Sequence, residues 1–293
     1  MTPQRGIALV QVLLVAGIIG LLMLQMGLTA RQQVEHAQAL ADRSELQLAA
    51  QSRESALLYT LLTEPLVRVV DSKNPYAAAW NFHGQPFEVD GVTFTIQDES
   101  GKMRVPWLET EDFEALLREL GVNPGRARSL GTELMILQGT TPRRRTLGET
   151  TVATDGSKEA SGKYPLQDIS ELRLLPGMDE ALYRRLRPLL TLYPTPGFNP
   201  LTADAALLDA QLTQSQAKGV TDARASGGLD ENTLWKLTGT QADETTVMLP
   251  GHGLTVRLES ELRGRRAVRT STVSVRPYSS EPLGVWQRVA GDE

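Results

Sequence analysis

"MTPQRGIALVQVLLVAGIIGLLMLQMGLTARQQ", residues 1–33, opens the chain. A short polar leader carrying Arg5 meets Gly6. Apolar residues then run from Ile7 to Leu28, with Gln11 and Gln25 as the only strongly polar members. A helix rises about 1.5 Å per residue, so a bilayer core takes roughly 20 apolar residues to cross. The run is long enough. A cleaved secretory signal, with Leu28-Thr29-Ala30 as its cut site, is the plain alternative. Its apolar core would be about 7–15 residues, and this one is longer and has no turn signal after it.

Beyond Ala30 the text continues "RQQVEHAQALADRSELQLAAQSRESALLYTLLTEP", without Gly or Pro until Pro65 and rich in good helix formers. Leu46, Ala50, Leu57 and Leu61 repeat at helical spacing and form one stripe. The reading is a single helix from about Ile7 to Glu64, apolar over 7–28, amphipathic over 29–65, and stopped by Pro65. Ala16-x-x-x-Gly20 offers a close-approach face to another membrane helix. The stripe is expected to be shared between the chain's own sheet and partner helices, a helix-in-groove use of one apolar face.

The rest of the 293 residues, 41% of the whole chain being apolar and 22% charged, suffices for a packed head. A net charge of −5 gives no general reason to expect a polyanion partner. With no cysteine, thiolate nucleophiles, disulfides and Cys-based metal sites are excluded. In residues 80–105, Val92, Phe94 and Ile96 alternate with polar neighbours after Asp90-Gly91, which predicts a hairpin and a half-buried strand. Residues 110–238 read as helices and loops. "TEDFEALLREL" ends at Gly121, "SELRLLPGMDEALYRRLRPLL" turns at Pro176-Gly177, and "TADAALLDAQL" has Thr202 as its expected cap. The polar stretches 139–163 and 213–230 read as mobile loops. Strand alternation returns over 247–290 with "RGR" at 263–265 as a turn, so the helical span interrupts a sheet.

A basic leader, Gly and an apolar rod resemble the type IV prepilin family. The resemblance implies cleavage between Gly6 and Ile7 by a prepilin peptidase. That family carries Glu at the fifth mature position, where this chain has Gln11. The words "DESGK", "SELRLLPGMDEALYRRLRPLLTLYP" and "FNPLTADAALLDA" further resemble the K-type minor pseudopilins of type II secretion systems (GspK). Differences from that pattern fall at Arg104, at Leu201 and over 133–138.

The implied fold is α+β and type IV pilin-like: a long N-terminal helix on an antiparallel sheet, with a large α-helical insertion holding a helix-hairpin-helix unit. The implied role is structural, at the tip of the secretion pseudopilus, with I- and J-type minor pseudopilins and the shaft as partners. The anchor would be single-pass in the inner membrane, with the leader cytoplasmic and the head periplasmic. Calcium is possible by the same resemblance, and Asp222, Asp230, Asp243 and Glu244 are candidate oxygen ligands, but their spacing matches no known calcium loop and simple solvated charge is the better reading.

Two rivals can be weighed on residues. An enzyme lacks support: His36, His83 and His252 are scattered, no nucleophile-elbow or zinc-helix motif is present, and Gly156–Lys163 departs from a phosphate loop in spacing. A membrane-anchored DNA-uptake component would use the turn at Pro176-Gly177 with Arg184, Arg185 and Arg187. Asp179 stands where DNA-binding hairpins have a second Gly. Its carboxylate would cap the helix and repel phosphate, so no nucleic acid is expected.

Overall fold

The computed structural model describes residues 5–67, 69, 71–138, 166–226, 229–239 and 246–292. Helix α1 (Arg5–Thr63) is one uninterrupted rod of 59 residues, about 90 Å long at the helical rise. It stops two residues short of Pro65, whose ring disfavours helical geometry in the residue before it. A short helix α2 (Pro75–Ala79), capped by the Asn74 side chain, swings Trp80 beneath the rod. The fully buried indole donates to the Val67 carbonyl at 2.9 Å.

Strands β1 (Phe87–Val89) and β2 (Val92–Asp98) form the expected hairpin. Asp90 and Gly91 both have positive φ, 49° and 74°, the geometry of a type I′ turn. The chain then leaves the sheet. It passes through a 3₁₀ turn (Glu99–Gly101), β3 (Met103–Arg104), α3 (Thr110–Glu119) and α4 (Pro124–Leu137). After a 3₁₀ turn at Ile169–Leu174 come α5 (Glu180–Leu186), β4 (Leu190–Thr191), α6 (Ala205–Gln211), α7 (Gln214–Ala225) and α8 (Glu231–Thr238). It returns as β5 (Gly253–Leu262), β6 (Arg265–Val275) and β7 (Leu283–Asp292).

The five-stranded sheet runs β1-β2-β5-β6-β7, antiparallel throughout, with Asp98 beside Leu254. Everything between Asp98 and Gly253 is therefore hung from the junction of two adjacent strands. This is the α+β, pilin-like arrangement expected from the sequence.

One core joins Ala50, Leu57 and Leu61 of the rod to Trp80, Phe94, Ile96, Val256 and Val273. The insertion has a core of its own around Phe113, Leu116, Leu130, Leu172 and Leu186. A smaller one forms around Leu208, Val220 and Leu234. Charged grips from the two hairpin turns help fasten the sheet to the rod. Asp90 pairs with Arg53 at 2.5 Å, and Arg263 pairs with Asp42. Arg263 has φ of 50° and, with Gly264, forms the second hairpin turn.

Four expectations are corrected. Residues 103–104 do not belong to the main sheet; β3 pairs in parallel with β4 inside the insertion. The 213–230 stretch is mostly helix α7, not a loop. Thr213 and Gln216 make a reciprocal capping box, and Ala217 with Val220 supplies a small buried face. The cap of α6 is Asp204, not Thr202, because Thr202 is buried and its hydroxyl serves Asp98. The first arm of the helical hairpin is a 3₁₀ turn. The expected loop at 139–163 and the Gly156–Lys163 segment lie outside the described residues.

Candidate functional site

The rod has two halves with different surfaces. From Leu9 to Leu28 its large apolar side chains are 48–73% exposed, and none packs on the head. Mean hydropathy there reaches 2.3. Among the described residues this is the one helix long and apolar enough to cross a membrane. Such a surface suits lipid rather than water. Gln11 lies in this half. The expected Gly6–Ile7 cut falls in the first turn of α1, and leader residues 1–4 lie outside the described residues.

In the second half, Leu46 is 4% exposed, and Ala50, Leu57 and Leu61 are 0% exposed. Here the sequence expectation needs correction. The stripe is taken up by the chain's own sheet, so it leaves no face for a partner helix. The outward face is a different one. Leu48 and Tyr59, two positions from Leu46, Ala50, Leu57 and Leu61, are turned about 200° from them. They are 67% and 68% exposed, and Val34 on the same side is 58% exposed. Sequence reading missed this face because its members are separated by Ala and Ser rather than forming a dense apolar run.

The word "DESGK" is the clamp between sheet and insertion. Asp98 is fully buried and accepts from the Ser100 N–H at 2.9 Å, the Thr202 hydroxyl at 2.9 Å and the Asn199 amide at 3.1 Å. Burial pushes its carboxyl upward from the ordinary value, and these hydrogen bonds work against that push. Glu99, 1% exposed, accepts from Thr191 at 2.5 Å, Thr255 at 2.6 Å and Lys102 at 2.5 Å. Thr191 and Asn199 belong to the insertion, Thr255 to β5. Two adjacent buried carboxylates persist only because both are fully hydrogen-bonded. Gly101 is obligatory here: a Cβ would lie 2.3 Å from the Thr202 carbonyl oxygen. Beside the clamp, His83 is held neutral, its pKa lowered to about 4 by burial and then by the Arg224 charge.

At the helical hairpin, Gly177 takes a φ of 89° and Asp179 caps α5, accepting from the Leu182 N–H at 2.7 Å. Its other oxygen meets Arg126 at 2.5 Å, and Arg126 also donates to the Gly177 carbonyl at 2.7 Å. Arg126 and the Leu182 N–H hold the Asp179 carboxyl below its usual range. The helix start that follows Pro176 is thus already capped by a protein carboxylate, whose charge opposes a phosphate there. The Arg126 contact comes from α4 and could not be read locally.

Of the calcium candidates, Asp230 caps α8 and Asp222 lies on α7, while Asp243 and Glu244 lie outside the described residues. Among the described residues no three His, Asp or Glu side chains gather closely enough to hold an ion. Arg104, one of the positions departing from the family pattern, has a buried Nε with no hydrogen-bond partner. Leu201 packs partly buried on the smaller core. Residues 133–138 end α4, where Gln138 donates to the Val105 carbonyl at 2.8 Å.

An apolar helical anchor continuing into a rod, a sheet wrapped on that rod and a clamped helical insertion define a membrane-anchored, pilin-like subunit. Residues 96–195 match the family described as type II secretion system (T2SS), protein K. The chain is 30% identical over 261 residues to the type II secretion system protein K of Klebsiella pneumoniae, covering 77% of this chain and 76% of that one. Its fold is similar to a chain of the GspK-GspI-GspJ complex from the enterotoxigenic Escherichia coli type 2 secretion system. There the TM-score is 0.51 and the identity 18%, over 90% of this chain and 99% of that chain. The chain belongs to the protein K family of type II secretion systems.

Proposed function

We propose that this minor pseudopilin sits at the tip of a short pseudopilus and takes part in export of folded proteins across the outer membrane. The anchor lies in the inner membrane with the leader on the cytoplasmic side and the head in the periplasm. The carrying observation is the insertion, which leaves the sheet between the adjacent strands β2 and β5 and packs around a core of its own. Partners are I-type and J-type minor pseudopilins, the proteins found together with GspK in the similar complex. They pack on the outward rod face of Val34, Leu48 and Tyr59.

The role is assembly, not catalysis. His36 lies on the rod and His83 is neutral and half-buried. His252 holds the Val275 carbonyl at 2.8 Å. The DNA-uptake reading is disfavoured by the Arg126–Asp179 pair in the hairpin turn. Tagged full-length chain, extracted from membranes with its neighbours co-expressed, should bring down both I-type and J-type subunits. Recovery of neither would overturn the proposal.

A further inference from the structure

The sheet has a second face. Turned away from the rod, Thr95, Thr255, Thr270 and Thr272 form a hydroxyl-rich floor opposite α5. Between them lies a cleft of about 790 Å³, a volume typical of ligand sites. Its lining holds five cationic side chains, Lys102, Arg173, Arg184, Arg187 and Arg257, against three carboxylates, Glu99, Glu180 and Asp204. That excess of two stands in a chain whose net charge is −5.

Three of the cations are engaged. Arg173 makes two bonds to Glu180, both 3.0 Å, and lies 4.1 Å over the Tyr183 ring. Lys102 is held by Glu99 and Arg257 by Glu259 at 2.7 Å. Arg184 and Arg187 form no ion pair among the described residues. They lie three positions apart, on one helical face, and both line the cleft. Arg185, between them, does not.

We propose that this cleft binds an extended acidic polypeptide segment. The two guanidinium groups would take its carboxylates in paired hydrogen bonds, the geometry at which arginine excels. Arg184 would do so through its terminal nitrogens, because its Nε donates to the Glu180 carbonyl at 3.3 Å, and Arg187 beside the charge of Asp168. The Thr95 and Thr270 hydroxyls, the Gln97 side-chain oxygen and the Gln287 side-chain NH2, which also line the cleft, offer donors and acceptors to a peptide backbone. A nucleic acid fits less well. Its charge is unbroken along the strand, and Glu180 and Asp204 interrupt the basic lining, whereas a peptide can place carboxylates opposite the arginines and neutral groups opposite the acids. The arginines of the helical hairpin thus serve the cleft beside it, not the turn. The proposal does not depend on the chain's place in a pseudopilus, so either can fail alone.

Full-length protein in uncharged detergent is titrated into fluorescein-labelled hexaglutamate, and anisotropy is followed. Binding should saturate and weaken with salt. Arg184→Gln with Arg187→Gln should lower affinity about tenfold or more, while Arg185→Gln leaves it unchanged. Should the double glutamine variant lose its melting transition, Arg184→Lys with Arg187→Lys replaces it. Affinity should again fall, because lysine cannot pair in two-pronged fashion. Absence of saturable binding overturns the proposal, as does an equal loss in Arg185→Gln. Competition by an oligothymidylate of equal charge as effective as unlabelled peptide overturns the ligand class.

Discussion

Glu54 is a carboxylate 2% exposed on the rod, held by Arg269 at 2.8 Å, by the Ser271 hydroxyl and by Arg288 at 3.5 Å. Its place among apolar neighbours fixes how far the rod may slide along β6, since a shift would strand the charge. Removing one partner of a buried pair costs about 3–5 kcal/mol. Glu54→Ala should therefore destabilise the head by that order in chemical denaturation, and a loss below about 1 kcal/mol would contradict the register role. The head can be studied free of residues 9–28, which pack on nothing in it.

His83 sets a pH term of known sign. Its folded pKa of about 4 lies below the ordinary 6.5, so protons bind the unfolded chain first. The stability it supports is fully present above pH 6.5 and is lost as pH falls toward 4. Wild type should lose more stability than His83→Gln between pH 7 and 4.5, and equal losses would contradict the assignment. Neither residue could be singled out from the sequence. Glu54 sits in a run of Gln, Ser and Arg that reads as solvated, and the partners that make it special come from strands far along the chain.

At the scale of elements, what was legible was local. Alternation gave β2, Asp90-Gly91 gave its turn, and an absence of breakers gave the rod. Helix α7 escaped because Ala217 and Val220 are a thin buried face in a polar sequence. The stripe of Leu46, Ala50, Leu57 and Leu61 was found correctly as a face, but its occupant depends on how far the sheet reaches along the rod. The distinction has a consequence. Leu57→Asp should unfold the head, because it puts a charge in the core without a partner. Leu48→Asp or Tyr59→Asp should leave its melting temperature within a few degrees and instead abolish co-purification of the I-type and J-type subunits. A folded Leu48→Asp head that still recovers both partners would remove that face from consideration.

For the molecule as a whole, the decisive matter is where it can stand in a filament. Pilin-like fibres grow through heterologous contacts repeated along a helix, so an internal subunit must fit neighbours above and below. Here the insertion is not a floppy appendage. Asp98 and Glu99 clamp it to the sheet through Thr191, Asn199, Thr202 and Thr255, so it cannot fold aside to admit a subunit above. Gln11 points the same way. A carboxylate in the apolar anchor costs about 2.5–3.5 kcal/mol on insertion scales, and it is useful only where the amine of a subunit ahead can pair with it. A terminal subunit has none ahead. Gln11→Glu should then bring no gain in secretion and a modest loss of membrane insertion, read by fractionation. Position itself can be tested by single cysteines placed along the outward rod face of this cysteine-free chain and along the partner rods. Oxidative cross-links should form to subunits on the membrane-proximal side alone. A ladder of cross-links extending on both sides would place the chain within the shaft and end the case for a cap.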